Sequence, residues 1–107
     1  MQIQFNTDHN IAGHEALAAQ VQVTVEHALS RFSEHITRVE IHLSDENANK
    51  GGTNDKRCMM EARLEGRQPI AVTHEAATKE QAVDGAAHKL VRLIEHTLGR
   101  AENMHKH

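Results

Sequence analysis

Apolar residues recur at alternate positions in four short stretches of this chain and at helical spacing in two longer ones. Ile3 and Phe5 alternate with Gln2, Gln4 and Asn6, which predicts a half-buried strand over residues 2–6. Asp8, Asn10 and Gly13 then mark a turn-rich connection. Over residues 14–32, Leu17, Val21, Val25, Ala28 and Phe32 share one helical face, with Leu29 beside it. Val21, Val23, Thr24 and Val25 are mediocre helix formers, but the period outweighs them. Alternation returns over residues 37–45, where Val39, Ile41 and Leu43 oppose Arg38, Glu40, His42 and Ser44. Residues 46–55, rich in Asn and Gly, predict a flexible hairpin tip. A third strand follows, with Cys58, Met60, Ala62 and Leu64 opposing Arg57, Met59, Glu61, Arg63 and Glu65. Residues 66–69 make a tight reversal into a fourth strand over 70–75, with Ile70 and Val72 inward. The last helix is predicted over residues 79–98, with Thr78 as N-cap, Gln81 completing a capping box, and Gly99 as its stop.

The order β-α-β-β-β-α fixes much of the fold. A strand-helix-strand opening needs a crossover, right-handed almost without exception, which lays the first helix on one sheet face. The last helix must bury its own stripe on that same face. The expected class is therefore α+β, a two-layer α/β sandwich with two helices on one side of a four-stranded sheet. One domain over residues 1–100, followed by a flexible polar tail over 101–107, suits a chain of 107 residues. Arg38, Glu40, His42, Arg57, Glu61 and Arg63 would occupy the exposed sheet face.

The last helix carries the clearest candidate chemistry. At roughly 100° per residue, Val83, Ala87, Leu90, Ile94 and Leu98 fall on one side. Gly85, Lys89, Arg92, His96 and Arg100 fall about opposite. A basic line on a chain of net charge −3 is not a by-product of basic composition. It reads either as a solvated helix face or as a row of cations that follows successive phosphates, Arg bridging two oxygens at once. Arg38, Arg57 and Arg63, interleaved with Glu40, Glu61 and Glu65, read either as cross-strand ion pairs or as a second RNA surface, with Lys56 and Arg57 best placed to reach a phosphate. Ten histidines would make the surface more positive on mild acidification.

Other chemistry finds little support. Two Phe residues in core registers, with no Tyr or Trp, argue against a reader that stacks bases on exposed aromatics. The single cysteine, Cys58, has an inward register and reads as a small core hydrophobe. Histidine abundance raises metal binding, but there is no HExxH or Cys/His quartet, and His88 and His96 are too far apart along a helix to share an ion. Gly51 and Gly52 lack the Lys-Ser/Thr of a phosphate loop. The expectation is no enzyme, no cofactor, no metal and no small-molecule substrate. No signal peptide or membrane span is legible, so a cytoplasmic protein without a membrane partner is expected.

Ala82-Val83-Asp84, then Lys89-Leu90 and Arg92, match in register a pattern of the ribosome hibernation-promoting factor and ribosome-associated inhibitor family, whose short form this chain resembles over residues 1 to about 100. The resemblance implies a fold like that of double-stranded-RNA-binding domains and a bacterial stress factor. Such a factor lies in the decoding channel of the small ribosomal subunit, contacts ribosomal RNA and inhibits translation. Carried over by position, it implies RNA contacts at Lys89 and Arg92; helix spacing adds His96 and Arg100, and the hairpin's return adds Lys56 and Arg57, as supporting candidates. The chain departs from the family where a Lys/Arg-rich helix end is common, carrying Glu95-His96-Thr97-Leu98-Gly99-Arg100 instead. That departure keeps a second reading open: an interaction or regulatory module of the same fold that has lost the ribosome.

Overall fold

The computed structural model describes residues 1–8, 14–45 and 56–105, with the backbone alone described for 14 and 100–105. It contains β1 (Gln2–Thr7), α1 (His14–Ala28), a 3-10 turn (Ser30–Phe32), β2 (Ile36–Asp45), β3 (Lys56–Leu64), β4 (Ile70–Ala76) and α2 (Lys79–His105). The strands form one sheet in the order β1-β2-β3-β4. β1 runs parallel to β2, as the helical crossover requires, and the other neighbours are antiparallel.

Paired residues share a sheet face. Ile41 lies between Phe5 and Met60, and Met60 in turn pairs with Val72. This row and its neighbours pack beneath Leu17, Val21, Val25 and Leu29 from the first helix and Val83, Ala87, Leu90 and Ile94 from the second. Both helices therefore cover one face, and the expected two-layer sandwich is found. Burial overrides propensity in α1: Val21 and Val25 are buried while Val23 remains 67% exposed. The connection over residues 9–13 and the hairpin tip over 46–55 lie outside the described residues.

Three details differ from expectation. The first helix stops at Ala28 rather than running to Phe32. Leu29 leaves the helical basin at φ −103°, ψ 9°, and the Ser30–Phe32 turn tightens the end, seating Phe32 in the core. β2 begins at Ile36, where a register irregularity between Ile36 and Arg38 breaks strict alternation, so that both Ile36 and Val39 are buried. Finally, α2 does not stop at Gly99 but continues to His105. A glycine C-cap needs a left-handed residue, and among the described glycines only Gly66, in the turn between β3 and β4, has positive φ, at 72°. One interior glycine costs a helix about 1 kcal/mol, too little to end it when no proline follows.

Cys58 is fully buried in β3, and burial pushes its thiol from an ordinary 9.0 up to about 12. The folded chain thus holds the neutral thiol at pH values where the unfolded chain ionises it. The stability linked to this group is whole below pH 9 and is lost as pH climbs towards 12. A thiol-reactive dye at pH 8 should label the native protein at least about 100-fold more slowly than the urea-unfolded chain. Equal rates would place the sulfur at the surface.

Candidate nucleic-acid interface

The charges of α2 are sorted by flank. Its N-terminus is capped as expected, Gln81 N–H donating to Thr78 Oγ1 at 3.1 Å. Burial of Val83, Ala87, Leu90 and Ile94 then fixes the helix rotation. Glu80 and Asp84 consequently line a cleft of about 150 Å³ shared with Leu17, Val21 and Thr24 of α1. Glu95 turns to the 3-10 turn that follows the first helix, taking an ion pair with Arg31 Nη2 at 2.5 Å. Lys89, Arg92 and His96 are exposed along the opposite flank.

That basic flank runs beside the outer edge of the sheet, because α2 approaches β4 closely. The side chain of His74 shares the core face with Ile70 and Val72 and lies against Gly85. A Cβ built on Gly85 would overlap the imidazole, its Cγ at 2.6 Å. Gly85 is therefore half-covered, not part of an open face as the spacing suggested. One turn further on, Lys89 Nζ donates to the carbonyl of Thr73 on the edge strand at 2.9 Å. This bond anchors the lysine without neutralising it, leaving two N–H donors and the full charge outward. Among the described residues no acid or acceptor pairs with Arg92.

The other predicted cations are placed differently. Lys56 pairs with Asp45 at 3.3 Å and is largely covered, so it presents little charge to solvent. Arg57 is exposed, but in register with Ser44 and Glu75 on the sheet face away from the helices. On that outer face Glu40 draws in Arg38 at 3.1 Å and Arg63 at 3.9 Å, while Arg63 lies 3.9 Å from Glu61. Arg38 is thus held by Glu40 on its own strand and by the Gln4 side-chain oxygen of β1, and Arg63 pairs across strands with Glu40. The side chain of Arg100 lies outside the described residues. The structure brings together Lys89, Arg92 and His96, and separates Lys56 and Arg57 from them.

Sequence reasoning missed His74, although the alternation of Ile70 and Val72 pointed to it, and it missed Arg31 as the partner of Glu95. Among the described residues no group of three or more His, Cys, Asp or Glu is placed to hold a metal ion. No described helix is long and apolar enough to cross a membrane.

Comparison with known proteins follows this geometry. The family described as sigma 54 modulation protein / S30EA ribosomal protein matches residues 5–102. Among solved structures, the N-terminal domain of Protein Y from Thermus thermophilus superposes with a TM-score of 0.72 at 18% identity, covering 91% of this chain and 99% of that one. A ribosomal subunit interface protein from Coxiella burnetii gives 0.69 at 22% identity, covering 92% and 99%. At these identities the likeness shows the fold. No curated protein matches the chain.

Proposed function

The chain belongs to the sigma 54 modulation protein / S30EA ribosomal protein family, and from that membership we propose that it is a hibernation factor that silences translation by occupying the decoding channel of the small ribosomal subunit under stress. The carrying observation is the solvent-facing row of Lys89, Arg92 and His96, with Glu80, Asp84 and Glu95 turned to the other flank. Cations along one rigid helix edge reach successive phosphates, and the guanidinium of Arg92 bridges two phosphate oxygens. Such contacts read backbone and shape, which suits structured RNA. The inhibition is steric, so no bond is made or broken. The solved subunit interface protein from Coxiella burnetii, which shares this fold, agrees with that reading by its name.

A sucrose gradient of stationary-phase lysate, probed for this protein at 50 and 300 mM salt, tests it. The protein should travel with small subunits at low salt. Its affinity should fall roughly 30- to 100-fold at the higher salt, because two to three neutralised phosphates release their counterions. Protein at the top of the gradient under both conditions would overturn the proposal and favour an interaction module, a reading to which the net charge of −3 lends some weight.

A further inference from the structure

Where the 3-10 turn meets the last third of α2, Arg31, Phe32, His35, Glu95, Leu98 and Gly99 line an open concavity of about 330 Å³. Arg31 forms its wall. Its guanidinium carbon lies 4.7 Å from the centroid of Phe32, and Nη2 holds the Glu95 carboxylate at 2.5 Å. The planar group is thus fixed from two sides, yet the side chain remains 61% exposed. At Gly99 a Cβ would meet nothing within 4 Å, so the mouth of the concavity is bare.

We propose that this concavity receives one unpaired nucleobase of the bound RNA, stacked on the outer side of the Arg31 guanidinium. The chain has no Tyr or Trp, Phe32 is buried and Phe5 is half-buried, so neither phenylalanine offers an open face for a base to stack on. A planar guanidinium does the same work, since splayed-out bases stack on arginine planes as well as on rings. The local charge selects a base over a phosphate. Arg31 and Glu95 offset one another, and the Glu95 carboxylate repels an anion while accepting from the ring N–H and amino groups of guanine or the amino groups of adenine and cytosine. Leu98 supplies the apolar side. The inference deepens the RNA reading by adding a single-stranded element to phosphate contacts on the basic flank.

The test is an NMR titration of the full chain with guanosine 5′-monophosphate, with ribose 5-phosphate as the probe lacking a base. Saturable shifts at Arg31, Phe32, His35 and Leu98 are expected with the nucleotide alone. Arg31→Lys keeps the charge but loses the plane, and should weaken binding about tenfold. Gly99→Leu fills the concavity without altering Arg31, and should abolish the shifts. Equal response to ribose 5-phosphate, absence of any response, or unchanged binding by either variant would overturn the inference. The titration uses no ribosomes, so it stands or falls separately from the gradient experiment.

Discussion

Reversing Lys89 and Arg92 together to glutamate is expected to abolish co-sedimentation with the small subunit while leaving the fold intact. Both side chains are exposed, so neither carries the core. The one internal contact at risk is the bond from Lys89 Nζ to the Thr73 carbonyl, worth about 1 kcal/mol at a surface edge. Two charge-assisted phosphate contacts, by contrast, contribute about 3–6 kcal/mol together, and the new carboxylates add repulsion. Affinity should therefore fall by more than about 100-fold, with the urea midpoint barely moved. Neutral replacements by glutamine should fall in between and lower the slope of log affinity against log salt by about 1.8. Wild-type co-sedimentation by the doubly reversed protein would remove α2 from the interface.

The asymmetry of α2 explains why an acidic chain presents a basic edge. Glu80 and Asp84 lie towards the first helix, and Arg31 of the 3-10 turn ties down Glu95. The sequence places Glu95 directly before His96, which reads as a loss of positive charge at the helix end. In space the carboxylate is committed elsewhere. Arg31 and Glu95 are 64 residues apart, so no periodicity joins them.

The limits of legibility have the same origin throughout. Periods of two and near four report which face of an element is buried, and they place the four strands, both helices and the flank of Lys89, Arg92 and His96. They report nothing about how closely two elements approach. The cover of His74 over Gly85, the anchoring of Lys89 on Thr73 and the Arg31 platform all depend on that distance. Strict alternation also fails at an irregularity, which is why the pattern leaves Ile36 outside the second strand. The ion pair of Lys56 escapes the sequence for another reason. Its partner Asp45 is set by hairpin register, which a loop of ten residues leaves open in the sequence.

The distance between α2 and β4 yields the second large effect, at Gly85. On helix propensity alone, Gly85→Ala should stabilise the protein by about 1 kcal/mol, because the residue sits inside a helix of 27 residues. The structure reverses that sign. The added methyl group would occupy the space of the His74 ring, and the clash includes Cγ, which cannot swing away as the far end of a flexible chain would. Either α2 lifts from the edge strand or His74 is expelled from the core face. Overpacking of this kind costs about 1–3 kcal/mol. Removing the ring should restore the ordinary preference. In a His74→Ala background, Gly85→Ala is expected to stabilise by up to about 1 kcal/mol, giving a coupling of about 1–4 kcal/mol between the two positions in urea unfolding. Stabilisation by Gly85→Ala in the otherwise unchanged chain would mean that helix and strand stand further apart than described, and Lys89 would then have no reason to rest on Thr73.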